Sequence, residues 1–134
     1  MAARDIFSET LGIIIDEEED GFVSGRLRVT EQHLNQHGTA HGGVIFALAD
    51  AVFARASNRD GIPAVALDTS MTFTRAANTD DVLYAHCEEL VRKRKIAVYS
   101  VRIMNSRRDL IAVFRGTVYR MDTAGAERPN KERH

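Results

Sequence analysis

The 134-residue sequence predicts an α+β fold in which a six-stranded antiparallel sheet wraps around one long helix. Three observations carry that expectation. Residues 42–58, "GGVIFALADAVFARASN", are Ala-rich and free of Pro, with Ala, Leu and Phe recurring on all sides, as in a helix buried nearly all round. The segments before and after it alternate apolar and polar residues with the period of a half-buried strand. The strands fall as two before the helix and four after it, which suits one sheet packed on one helix.

Taken in chain order, "RDIFSETLG" reads as a short helix with Ile6, Phe7 and Leu11 on one side and Gly12 as its stop. "IIID" reads as a short strand, and "EEEDG" as a charged turn. "FVSGRLRVT" sets Val23, Leu27 and Val29 on one face and Ser24, Arg26 and Arg28 on the other, which completes a hairpin. "EQHLNQHGTAHGG" has no period. After the helix, Asn58 and Gly61 are stop signals. "AVALDTSMTFTR" places Val65, Leu67, Met71 and Phe73 together, with Asp68 on the other face beside Ala66 and Ser70. "VLYAHCEELVRK" reads as a strand, and the turn "SRRD" joins two more, "KIAVYSVRIMN" and "LIAVFRGTVYRM". We expect a single domain over 1–134, with 122–134 as a polar C-terminal tail.

Charge and cysteine content narrow the function. The formal net charge is −1, so no strong field favours nucleic acid or an anionic membrane. The N-terminus carries no apolar signal-like core, and no stretch approaches the ~20 uninterrupted apolar residues of a membrane span. Cys87 is the only cysteine, which excludes an internal disulfide and fits a reducing, cytoplasmic setting.

The chemistry concentrates in residues 33–50. His33, His37 and His41 repeat every fourth residue, a spacing that aligns side chains on a helix, and zinc accepts such ligands. Gly38 and the Gly42–Gly43 pair break any such helix, and no acidic residue lies between the histidines, so no metal site is expected. Gly42 and Gly43 open the long helix, where unpaired N–H groups and the helix dipole favour an oxyanion and glycine permits close approach. Asp50 stands among Ala47, Leu48, Ala49, Ala51, Val52 and Phe53. A carboxylate there is costly unless it is paired or rides on one solvated stripe of the helix; otherwise it is a general base or nucleophile. From Gly42 to Asp50 is about 12 Å along the axis at 1.5 Å per residue. One helix cannot bring both to one carbonyl, whereas two antiparallel helices about a two-fold axis can, so a shared site requires a dimer.

The stretch "HLNQHGTAHGGVIFALADAVFARASNRDG" resembles the hotdog-fold acyl-CoA thioesterases of the phenylacetate-degradation (PaaI-like) group. The shared pattern is "LNxHG", "HGG", "LAD" and "A-x-N-x-x-G", and the likeness runs from about Gly12 to Met121. It implies a hotdog fold, a homodimer as the active unit and a homotetramer of two dimers. It also implies hydrolysis of an acyl-CoA, with aryl-acetyl or medium-chain fatty acyl groups, and no cofactor. Asp50 would be the base or nucleophile and Gly42 the oxyanion donor, with His41 and Asn35 orienting thioester and water. Gly43, Phe73, Thr74 and Arg75 would belong to the substrate and CoA site. Where some relatives carry Ser or Thr, this chain has Ala66, so Asp68 or Ser70 would have to supply the polar group. The basic run "RKRK", with Arg92, Arg94 and Lys95, suits the phosphates of CoA. A non-catalytic acyl-CoA-binding module and a hotdog hydratase or dehydratase are the rival readings.

Overall fold

The computed structural model describes residues 4–121; the expected tail at 122–134 lies outside them. The elements run α1 (Ile6–Leu11), β1 (Ile14–Glu19), β2 (Phe22–Arg28), a 3-10 turn (Glu31–His33), α2 (Gly42–Ser57), β3 (Ala64–Phe73), β4 (Val82–Arg92), β5 (Ile96–Met104) and β6 (Leu110–Arg120). The six strands form one antiparallel sheet in the order β1-β2-β4-β5-β6-β3. The inner face presents Val23, Leu27, Leu83, Ala85, Tyr99, Val101, Ile103, Phe114 and Val118, and α2 lays Leu48, Val52 and Phe53 into it. Close approach of α2 depends on Gly116, where an added Cβ would stand 2.6 Å from Phe53 Cζ. Gly116→Ala therefore overpacks a fully buried ring and costs about 1–3 kcal/mol, read as a lower urea midpoint with an unchanged slope.

Four expectations are corrected. The first strand does not end at Asp16: β1 continues through Glu17, Glu18 and Glu19, and only Asp20 and Gly21 turn. It is an edge strand, where solvated glutamates cost little and discourage further pairing. In α1, Ile6 and Phe7 face solvent, while Ser8 is buried and Leu11 packs against the core. So short a helix is oriented by its caps, Asp5 and Gly12, rather than by its own pattern. In β3, Leu67 occupies a bulge, since Ala66 pairs with Val118 and Asp68 with Thr117. The bulge flips the alternation. Ala66, Thr69, Met71 and Phe73 share the inner side, and Val65 moves to the outer side with Asp68 and Ser70.

The fourth correction concerns α2, which is not buried all round. The sheet covers one side, and Gly43, Asp50, Ala54, Arg55 and Asn58 remain exposed along the other. Among the described residues, no helix is long and apolar enough to cross a membrane.

Candidate active site

The loop before α2 is built by its own polar side chains. Asn35 Oδ1 accepts from the N–H groups of His37 (2.8 Å) and Thr39 (3.2 Å), and its Nδ2 donates to Thr39 Oγ1 (3.1 Å). Gly38, at φ 80°, closes this turn. His33 is buried: its Nδ1 accepts from Thr30 N–H (2.9 Å), so its Nε2–H donates to the Leu11 carbonyl (2.9 Å). The His33 carbonyl in turn accepts from His41 N–H at 2.8 Å. His37 is exposed, and the three histidines do not converge. His33 is therefore a buried strut rather than a solvated loop histidine.

His41 is the N-cap of α2, and its geometry selects one backbone donor. Its Nδ1 accepts from Gly43 N–H at 2.8 Å. Its carbonyl accepts from Val44 N–H at 2.9 Å and Ile45 N–H at 3.3 Å. Of the N–H groups in the first turn of α2, Gly42's alone has no acceptor among the described residues. The cap also fixes the His41 tautomer, because an accepting Nδ1 leaves the proton on Nε2, which faces solvent.

The Gly42 N–H borders a cavity of about 420 Å³ lined by Asn35, Gly42, Ile45, Phe73, Thr74 and Arg75, among others. Phe73, at the end of β3, brings the tip of its ring to Gly42: a Cβ there would be 3.2 Å from Phe73 Cζ. Thr74 ties its hydroxyl to the Leu110 carbonyl at 2.7 Å. Four of the expected residues, Asn35, Phe73, Thr74 and Arg75, thus gather around Gly42.

Asp50 stands apart from this cavity on the exposed stripe of α2. It makes no hydrogen bond or ion pair among the described residues. Even so, partial burial against its surroundings raises its pKa above the ordinary carboxylate value, and the negative charge of Asp5 raises it further. Asp5 was absent from the expected site, although its role as a helix cap was legible in "RDIFSETLG".

The structure does not bring the remaining candidates to this place within one chain. Asp68 and Ser70 project from the outer face of the sheet, so neither takes the place of Ala66 on the inner side. Arg92 is held by carboxylates. It lies 3.2 Å from Asp20, 3.2 Å from Asp60 and 3.3 Å from Glu89, and Asp60 is shared with buried Arg120 at 2.9 Å. Lys95 lies over the Tyr119 ring, 5.9 Å from its centroid. The hairpin carrying Arg92, Arg94 and Lys95 therefore sits by the C-terminal end of α2. That is the length of the helix, about 24 Å, from Gly42 and Arg75.

Comparison with known proteins agrees with this fold. Residues 37–112, more than half the chain, match the family model described as the thioesterase superfamily. The acyl-coenzyme A thioesterase PaaI of Escherichia coli is 36% identical over 121 residues, spanning 90% of this chain and 86% of that protein. The solved structure of E. coli PaaI superposes with a TM-score of 0.85, covering 87% of this chain and 84% of that one. A mutant of the phenylacetic acid degradation protein PaaI from Thermus thermophilus is 40% identical, with a TM-score of 0.84 over 87% of this chain and 99% of that one. A Streptococcus pneumoniae thioesterase solved with coenzyme A is 29% identical, with a TM-score of 0.77 over 81% of this chain and 87% of that one. One long helix held by an antiparallel sheet agrees with the fold of these relatives, and the chain belongs to the thioesterase superfamily as a hotdog-fold thioester hydrolase.

Proposed function

We propose that the protein hydrolyses aryl-acetyl-CoA or medium-chain fatty acyl-CoA thioesters at two sites shared between the subunits of a homodimer. The observation that carries this reading is the pairing of two unsatisfied groups on one helix. Among the described residues the Gly42 N–H lacks an acceptor and the Asp50 carboxylate lacks a donor, and Asp50 lies on the exposed side of α2. About 12 Å of helix separates them. A second α2 laid antiparallel along the exposed stripe sets Gly42 of one subunit opposite Asp50 of the other. It also covers Gly43, which is small enough for the helices to approach closely. Two such dimers form the homotetramer.

In this mechanism Asp50 takes a proton from water as the hydroxide adds to the thioester carbonyl. The Gly42 N–H donates to the oxyanion, at the position where charge develops. The intermediate then expels the CoA sulfur, and the proton on Asp50 passes to it, giving free acid and CoA thiol. The outward Nε2–H of His41 and the remaining Nδ2 hydrogen of Asn35 are donors for orienting the thioester. Arg75 is the cation nearest the Gly42 end. In the two-fold arrangement, the partner's basic hairpin reaches the same end, with Arg92 spent on its carboxylates and Lys95 better placed for the CoA phosphates.

The test is release of free thiol across a panel of acyl-CoAs. Turnover of aryl-acetyl or medium-chain members supports the reading, and tight binding without turnover refutes it. Because no step uses a metal, exhaustive chelation leaves kcat unchanged; loss of activity restored by one added metal ion would contradict this. With the Asp50 pKa raised by burial and then by Asp5, kcat/KM rises with pH through a range above that of an ordinary carboxylate, where Asp50 loses its proton. An acidic limb at the ordinary position would contradict the assignment.

A further inference from the structure

The basic turn between β4 and β5 is held from outside the hairpin. Arg92, Lys93, Arg94 and Lys95 follow one another, and like charges so close oppose a tight turn. Lys93 N–H closes the turn on the Ile96 carbonyl at 2.8 Å. Arg120, at the end of β6 and only 6% exposed, then grips its backbone. Its Nε donates to the Arg94 carbonyl at 3.3 Å, and its backbone N–H donates to the Lys95 carbonyl at 2.7 Å. The Arg120 guanidinium meets Asp60, Nη1 to Oδ2 at 2.9 Å, and the same oxygen takes Arg92 Nη1 at 3.2 Å. Asp60 follows Asn58, the C-cap of α2, and its Oδ1 accepts from Ile62 N–H at 3.1 Å. Asn58 Oδ1 in turn accepts from Ala64 N–H at 2.9 Å, at the start of β3. A continuous set of hydrogen bonds thus runs from the end of α2 through Asp60 and Arg120 to the backbone of the basic turn. The turn is fixed to the same helix that carries Gly42 and Asp50.

Resting on the two-fold coenzyme A site above, we propose that Asp60 and Arg120 are positioning residues for the nucleotide end of the substrate: they hold the basic turn in one place against α2, so that its cations meet the CoA phosphates at the partner subunit's site. Neither residue touches the substrate. An ion pair between exposed side chains contributes little. Here one member is buried, and among the described residues Asp60 is the only carboxylate that meets Arg120. Removing that carboxylate leaves a buried guanidinium without its partner, which favours its escape to water and frees the Arg94 carbonyl. Cations already held in place lose less freedom on binding than mobile ones. The clamp therefore acts on affinity for the phosphates and not on the chemistry at the thioester.

The test compares two thioesters of one acyl group, the acyl-CoA and the acyl-pantetheine, which lacks the phosphates and the nucleotide. In Asp60→Asn, KM for the acyl-CoA rises about tenfold, the scale of one charge-assisted contact, while KM for the acyl-pantetheine and kcat for both stay at wild-type values. Arg120→Met, which removes the buried charge instead of stranding it, gives the same split. KM does not depend on how much of the enzyme is folded, so partial unfolding lowers the apparent kcat on both thioesters alike and does not imitate the split. A purely structural network lowers the thermal midpoint and leaves the ratio of the two KM values unchanged; that result in both variants overturns the clamp while the hydrolysis reading stands. Equal KM for the two thioesters in the wild type would show that the phosphates are not held, and the clamp falls with them. Failure of the wild type to cleave either thioester would instead refute the proposed function itself.

Discussion

Asp50→Asn lowers kcat by at least ~100-fold, the scale of losing a general base, without lowering the thermal midpoint. The two halves of this result have one cause. Among the described residues Asp50 has no hydrogen-bond donor or cation to stabilise it, and its surroundings penalise its charge. The amide is isosteric and uncharged, so the fold loses nothing when it replaces the carboxylate. What is lost is the capacity to accept a proton from water. Thiol release followed beside a thermal melt checks both halves. Activity within a few-fold of wild type would remove Asp50 from the chemistry, and a collapsed melting point would make it a structural residue instead.

Gly42→Pro lowers kcat by about 10²–10³-fold, the effect of deleting one oxyanion donor. Proline is the right probe because this position tolerates it. Gly42 is the first residue of α2, where a missing N–H breaks no helical bond. His41 before it sits at φ −63° and ψ 137°, the extended conformation that a following proline requires. Proline also adds a Cβ 3.2 Å from Phe73 Cζ, so Gly42→Ala is the control. It adds the same carbon, keeps the N–H and pushes the half-exposed Phe73 ring equally. Alanine is expected to cost much less than proline. Equal losses in the two variants would assign the effect to the displaced ring rather than to the donor.

Much of this molecule is legible in its sequence, and the misreadings have physical causes. The six strands and the long helix follow from periodicity, because each strand of β2, β4, β5 and β6 sends alternate residues into one core. The break in the histidine repeat at Gly38 is legible for the same local reason. The bulge at Leu67 is not: it is a register shift against Thr117 and Val118, some fifty residues away, and no local pattern marks it. The setting of Asp50 is the part of the reading that the structure changes. A helix apolar on every side looks buried, and here one of its sides is uncovered within a single chain. The run at 92–95 looked free to bind phosphate because the carboxylates holding Arg92 are Asp20, Asp60 and Glu89, two of them distant in sequence. That Gly42 rather than Gly43 keeps an unsatisfied N–H among the described residues depends on the His41 side chain, whose Nδ1 accepts from Gly43 N–H.

The central claim is that one active site takes Gly42 from one subunit and Asp50 from another, and mixing two inactive variants tests it most directly. Asp50→Asn chains keep Gly42, and Gly42→Pro chains keep Asp50. Coexpressed in equal amounts and purified together through one shared tag, they assemble at random. A shared site then regains roughly one quarter of wild-type kcat per site, because that fraction of sites draws an intact residue from each parent. A site contained within one chain regains nothing, and a mixed assembly as inactive as its parents would contradict the account.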